Sequence, residues 1–200
     1  MTISSFFSLE PKENLWLLRL HSPDGTNRLT RAAVLALHDV VDDLAQKKRP
    51  LIITGNDKFF SAGAELGEIA ALDAPAAYEF SKVGQALMRA VEDYPAPLVA
   101  AISGYCMGGG LDLALACHQR IASPHAIFGH RGAALGIITG WGGTQRLARL
   151  VGKGRALELF VAAEKVIAEH AFRIGLIEGI AADPVAEAVH RLKLRHRSIA

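Results

Sequence analysis

The stretch SGYCMGGGLDLALAC, residues 103–117, sets three consecutive glycines and an acid at the head of an apolar run. Glycine loses more conformational freedom on ordering than any other residue, so Gly108, Gly109 and Gly110 call for a physical reason. The preceding LVAAIS (98–103) reads as a buried strand, and the run after Gly110 reads as a helix. Glycines at such a junction let the chain turn sharply and leave the main chain open to a ligand, while the helix presents free N–H groups and its positive dipole end. Residues 108–113 lack the third glycine of GxGxxG, and GxxxxGK[ST] does not occur, which speaks against nucleotide binding. Ser61 and Ser103 do not sit in a GxSxG elbow. Two readings stay open at this point: a backbone anion or oxyanion site, and a tight turn that uses glycine for geometry alone.

A second stretch bears on that choice. FFSAGAELGEI (59–69) also follows a predicted strand, LIITG (51–55), and places Ala62, Gly63 and Ala64 before a short helix. Two turns at neighbouring strand ends each supply one N–H group. Paired donors of this kind stabilise a developing enolate or tetrahedral oxyanion, and losing one raises the barrier by ~3 kcal/mol.

Further out, LWLLRL (15–20), LIITG and PLVAAIS (97–103) predict strands, separated by helices. One helix follows an N-cap at Thr30, with Val34, Leu37, Val41 and Leu44 on one face. The other runs from about Ala76 to Asp93 with Phe80, Val83, Leu87 and Val91 together. Uniformly apolar strands between amphipathic helices predict βαβ units and a parallel sheet. Then come QRIAS, AIFGH, a second glycine-rich stretch GIITGWGGTQ, and helices from about Thr144 onward.

With 200 residues at 50% hydrophobic content, the chain predicts one well-buried domain. The formal charge of +2 gives no reason to expect nucleic acid or a membrane surface as a partner. Cys106 and Cys117 are expected to be buried free thiols. The N-terminus lacks a basic-then-apolar leader, and no stretch approaches the ~18 apolar residues of a membrane span, which predicts a cytoplasmic protein.

FFSAGAEL, ISGYCMGGGLDLALACHQRIAS and LGIITGWGGTQRLARLVG, in this order and at these separations, resemble the crotonase (enoyl-CoA hydratase/isomerase) superfamily from about Leu15 to Ala181. The resemblance implies an α/β fold, a spiral of ββα units with surrounding helices and a shortened C-terminal helical region, in a single domain spanning 1–200. It implies an enzyme acting on acyl-CoA thioesters, nominally hydrating a 2-enoyl-CoA, with no tightly bound cofactor or metal and with coenzyme A entering as part of the substrate. The oxyanion donors are then the N–H groups of Ala64 and Gly109. Thr26 in the GTNRL loop, with Ala62, Ala64 and Leu66, matches the path of coenzyme A, and a homo-oligomer, trimer or hexamer, is expected.

Hydratases of this family use two glutamates, and here the chain departs from the pattern. The first position holds Asp112, roughly 1.5 Å shorter than glutamate. The second holds Gly132, which carries no acid or base. His130, Arg131, Thr139 and Trp141 are the nearby candidates to compensate, Thr139 and Trp141 also as lining of the acyl pocket. Strand alternation is expected to turn at least one of His130 and Arg131 away from any pocket. His118, Tyr105 and Cys106 are expected to be packing residues. Asp183 and Pro184 predict the start of a last helix within a basic 183–200 tail containing Arg191, Lys193, Arg195 and Arg197. Other reactions of the superfamily, namely isomerisation, decarboxylation or thioester hydrolysis, and a non-catalytic acyl-CoA- or RNA-binding role are the alternatives.

Overall fold

A computed structural model describes residues 2–197, so residues 198–200 of the expected basic tail lie outside the described residues, as do the side chains of Arg195 and Arg197. The chain opens with an antiparallel meander of β1 (Thr2–Ile3), β2 (Phe7–Lys12) and β3 (Leu15–Leu20). Helix α1 (Arg31–Ala45) then leads into three successive ββα turns. The first comprises β4 (Leu51–Thr54), β5 (Phe59–Ser61), the short α2 (Leu66–Ala70) and α3 (Ala74–Glu92). The second comprises β6 (Leu98–Ile102), β7 (Tyr105–Met107) and α4 (Gly109–Ala116). The third comprises β8 (Gln119–Ala122), β9 (Ile127–Gly129) and α5 (Gly143–Val151), followed by α6 (Lys153–Ala162). The chain closes through β10 (Val166–Ile167), α7 (Ala168–Arg173), β11 (Gly179–Ile180) and α8 (Pro184–Arg197).

In each turn the first strand joins a seven-stranded sheet, ordered β1-β2-β3-β4-β6-β8-β11, and the second joins a four-stranded sheet, ordered β10-β9-β7-β5. Strands β3, β4, β6 and β8 run parallel, as do β5, β7 and β9. This double contribution produces the spiral that the resemblance implies. It narrows the generic parallel sheet predicted from periodicity, because three-residue strands such as β5 and β7 are too short to show a period of two. Strand β2 escapes detection for another reason: Pro11, paired with Trp16, interrupts it near its end.

Local chemistry explains the elements. All of β4 and β6 is buried, consistent with their unbroken apolar sequences. Thr30 caps α1, its hydroxyl accepting from Ala33 N–H at 3.1 Å, and Val34, Leu37, Val41 and Leu44 are all buried. Full burial of each such side chain contributes about 1.5–3 kcal/mol. Asp73 caps α3 by accepting from Ala76 N–H at 2.8 Å, so that helix starts two residues earlier than its apolar face announces. Asp183 caps α8 through Val185 and Ala186 N–H. The buried Arg120 ties the end of α4 to the strand before α8, donating to the carbonyls of Cys117 and Leu176 and pairing with Glu178.

Candidate active site

Both glycine-rich turns meet at one place, and each glycine there has its own reason. Gly108 adopts φ +50°, the turn that starts α4, and Gly63 adopts φ +96°. A Cβ on Gly110 would lie 2.7 Å from the Ser61 side chain, so this glycine permits α4 to rest directly on β5. A Cβ on Gly109 would overlap the Trp141 ring and stand 3.3 Å from the Ala64 amide nitrogen. One on Gly63 would stand 3.1 Å from the Gly109 nitrogen. The amides of Ala64 and Gly109 therefore approach each other across the two turns, and among the described residues neither has an acceptor.

The 62–64 turn is held from behind by the GTNRL loop. Asn27, itself at φ +52°, donates to the carbonyls of Phe59 and Phe60 at 2.9 and 3.2 Å. Thr26 C=O accepts from Ala62 N–H at 2.9 Å, and Gly63 C=O accepts from Leu29 N–H at 2.9 Å. Ser61 hydroxyl donates to Asn27 C=O at 2.7 Å and accepts from Gly63 N–H at 3.1 Å. These bonds fix the turn without using the Ala64 N–H.

Asp112 stands in the first turn of α4 and is 1% exposed. Thr139 hydroxyl donates to its Oδ2. His130 Nε2 lies 3.3 Å from its Oδ1, yet neither of those two buried atoms completes a hydrogen bond, either with the other or with a third group. Gly143, the first residue of α5, makes room for this cluster: a Cβ there would overlap Asp112 and stand 3.0 Å from both His130 and Thr139. Burial pushes the Asp112 carboxyl up to about 7, against the Thr139 hydrogen bond and the Arg146 charge, which pull it down. Burial pushes His130 down to about 4, so the imidazole is neutral at neutral pH. Arg146 is itself held by Glu92 at 2.6 Å and by the Trp141 carbonyl at 3.1 Å.

A cavity of about 740 Å³ opens beside these groups and is lined by Ala62, Ala64, Leu66, Gly109, Asp112, Gly132, Thr139 and Trp141. Thr26 is not among its lining residues: it reaches the site only through its carbonyl on Ala62, and its hydroxyl is bound to Asp24. Trp141 is buried, packs on Phe80 with ring centroids 5.4 Å apart, and forms one wall. Gly132 opens a 3₁₀ turn over Ala133–Leu135, and a Cβ on it would lie 2.5 Å from the Ile137 carbonyl oxygen. The loop is thus wound too tightly at this point for a side chain.

His130 and Arg131 both line the cavity, so the alternation argument does not hold. Its physical premise fails because β9 ends at Gly129 and neither residue is in a strand. Sequence reasoning also passed over Gly143 and the α6 wall formed by Leu157, Phe160 and Val161. The signal for α6 was weak, since Leu157 and Val161 are exposed at the rim and give no clean apolar face. His118 binds structure only: its Nδ1 accepts from Leu98 N–H at 3.0 Å, and Nε2 lies 3.0 Å from the Glu92 carbonyl. Cys106 and Cys117 are buried free thiols. No helix among the described residues is long and apolar enough to cross a membrane.

Comparison with known proteins agrees with this geometry. The family model described as Enoyl-CoA hydratase/isomerase matches residues 10–198. The crotonyl-CoA hydratase of Syntrophomonas wolfei is 42% identical over 177 residues, covering 86% of this chain and 67% of that protein. A probable enoyl-CoA hydratase of Bacillus subtilis is 38% identical over 189 residues, covering 93% and 72%. Among solved structures, Pseudomonas aeruginosa DspI superposes with a TM-score of 0.92 at 33% identity, covering 98% of this chain and 77% of that one. The enoyl-CoA hydratase of Bacillus anthracis gives 0.83 at 33% identity, covering 96% and 74%.

Proposed function

The chain belongs to the enoyl-CoA hydratase/isomerase family, and from that premise we propose that its cavity binds an acyl-CoA thioester and adds water across a 2,3 double bond. The observation that carries the reading is the approach of two free amides, Ala64 and Gly109, at the wall of a cavity that also holds a buried carboxyl group. In the proposed pose the thioester oxygen accepts from both amides. That polarises the conjugated system, makes the β-carbon electrophilic and stabilises the enolate formed on attack. Asp112 is the proton-transfer group. It takes a proton from water as the water oxygen bonds to the β-carbon, and returns a proton to the α-carbon as the enolate collapses. A carboxyl group titrating near 7 serves both halves of that cycle at neutral pH.

Coenzyme A enters as part of the substrate, along the path from the Thr26 loop past Ala62 and Leu66. The proposal takes residues 1–200 as one domain, working in the cytoplasm as a homo-oligomer, trimer or hexamer, without nucleic acid or membrane as partner. A second reading has a specific observation behind it. The tight winding at Gly132 leaves one carboxyl group where two-acid hydration uses two, which favours reactions such as decarboxylation or isomerisation, in which the substrate brings its own reactive group.

The experiment is turnover of crotonyl-CoA and longer 2-enoyl-CoA thioesters, followed by loss of the conjugated absorbance and by product mass, alongside malonyl-type thioesters. Formation of the 3-hydroxyacyl-CoA, abolished in Asp112→Ala, is the expected result. Binding of acyl-CoA without hydration of any enoyl thioester, or unchanged turnover in Asp112→Ala, would defeat the hydratase reading.

A further inference from the structure

His130 takes no part in the mechanism above, yet it faces Asp112 within the same cavity wall. Its ring packs against Phe160 with centroids 5.1 Å apart. Its Nε2 and the Asp112 Oδ1 stand 3.3 Å apart, both are buried, and neither has a hydrogen-bond partner, the pair itself falling short of hydrogen-bond geometry. The second carboxylate oxygen is already satisfied by Thr139. A buried polar atom left unsatisfied costs about 1–3 kcal/mol. Two such atoms facing each other are both satisfied by a single proton between them, and the absence of a side chain on Gly143 leaves space for that pairing.

We infer that His130 and Asp112 form a proton-sharing pair, in which the imidazole exchanges acceptor and donor roles at Nε2 as the carboxyl group loses and regains its proton. In the acid form, Asp112 Oδ1–H donates to a bare Nε2. In the basic form, the carboxyl proton has passed to Nε2 and the ring proton has left Nδ1 for solvent, so that a neutral imidazole donates Nε2–H to the carboxylate. One hydrogen bond spans the pair throughout, so neither buried atom is stranded at any stage of proton transfer. His130 is then a positioning residue that acts through Asp112 and supports the single acid in the absence of a partner at Gly132. The inference rests on the hydratase reading for its use in turnover, but not for the pairing itself.

The surrounding charges leave this assignment consistent. Burial keeps the histidine neutral over the range in which the carboxyl titrates. Arg146 from α5 acts on Asp112 and is itself paired with Glu92. Cys106 from β7 interacts with Asp112 but its thiol is pushed well up by burial and carries no charge. Arg131, next to His130, and Lys153 from α6 line the same cavity.

The test is nitrogen NMR of the imidazole rings in the full chain without substrate, from about pH 5 to about pH 9, the span over which imidazoles and a raised carboxyl titrate. The expected result is that His130 Nε2 passes from bare to protonated as pH rises, with one midpoint. In Asp112→Asn the tautomer should become independent of pH. An Nε2 that keeps one role throughout, or a His130 that becomes an imidazolium near the ordinary histidine range regardless of Asp112, would overturn the inference. A second arm uses His130→Gln with crotonyl-CoA. We expect kcat to fall about a hundredfold, the lower end for a positioned proton-transfer device, with KM changing less than about threefold and the midpoint of the pH profile displaced. Loss of kcat with an unmoved midpoint would reduce His130 to a packing residue. If the variant does not fold, the tautomer measurement on the unaltered chain decides. If the unaltered chain hydrates no enoyl thioester, the hydratase reading fails while the pairing is still decided by NMR.

Discussion

Replacing Asp112 by asparagine removes the charge of the carboxyl group while keeping its shape, and the stability of the variant measures what burial of that charge costs. The folded protein titrates this group near 7, whereas an unshifted aspartate titrates near 3.8. Between those two values the folded state binds more protons than the unfolded state, so stability from this group is fully present below about 3.8 and falls as pH rises through 7. The full shift corresponds to about 4 kcal/mol, of which about 3 kcal/mol accrues between pH 5 and pH 8. His130 has the opposite sign: its folded value near 4 lies below the ordinary 6.5, so it adds stability as pH rises through that window. It is present in both proteins and largely cancels in the comparison. Urea denaturation should therefore find Asp112→Asn more stable than the parent at pH 8, by an amount that shrinks by about 3 kcal/mol on going to pH 5. Its hydratase turnover should be lost under the same conditions. Parallel stability curves for the two proteins across this range would refute the claim that the carboxyl group is held in an environment hostile to its charge.

Thr139→Val removes a hydroxyl that favours the ionised carboxyl; the acidic midpoint of the kcat/KM profile should move upward, and a downward or absent shift would contradict the assignment. Gly84→Ala places a Cβ into the Trp141 indole, so denaturant unfolding should show a loss of about 1–3 kcal/mol from overpacking, partly restored when Trp141→Phe is added. Gly132→Glu restores an acid to the family's second position, but its Cβ would lie 2.5 Å from the Ile137 carbonyl. Steady-state kinetics should therefore show no gain in hydration, and melting should show a loss of stability.

How much of this was legible in the sequence depended on the length of each signal. The buried β4 and β6, the Thr30 cap and the apolar faces of α1 and α3 are long enough to declare their periods. The second sheet is not, because β5, β7 and β9 contribute three residues each. At the site, the glycines of 108–110 and the 62–64 turn mark two sharp backbone turns in the sequence, whereas the choice of Ala64 and Gly109 as the paired amides comes from the resemblance to the family. The Asp112–His130–Thr139 cluster could not be anticipated. Its members are separated by 18 and 9 positions in the chain, and it is the loop after β9 and the turn before α5 that bring them together. Likewise a glycine at 143 reads as one of several in GIITGWGGTQ until Asp112 and His130 are seen to occupy the space a side chain there would take.

The central claim is that one thioester oxygen is held by two main-chain amides from separate turns. Its most direct test is a crystal structure of the protein with a bound acyl-CoA, or with a non-hydrolysable thioester analogue. The account predicts the carbonyl oxygen at about 2.7–3.1 Å from both the Ala64 and Gly109 nitrogens, with the α-carbon facing Asp112. A thioester bound in the cavity with its oxygen turned away from either amide would contradict it.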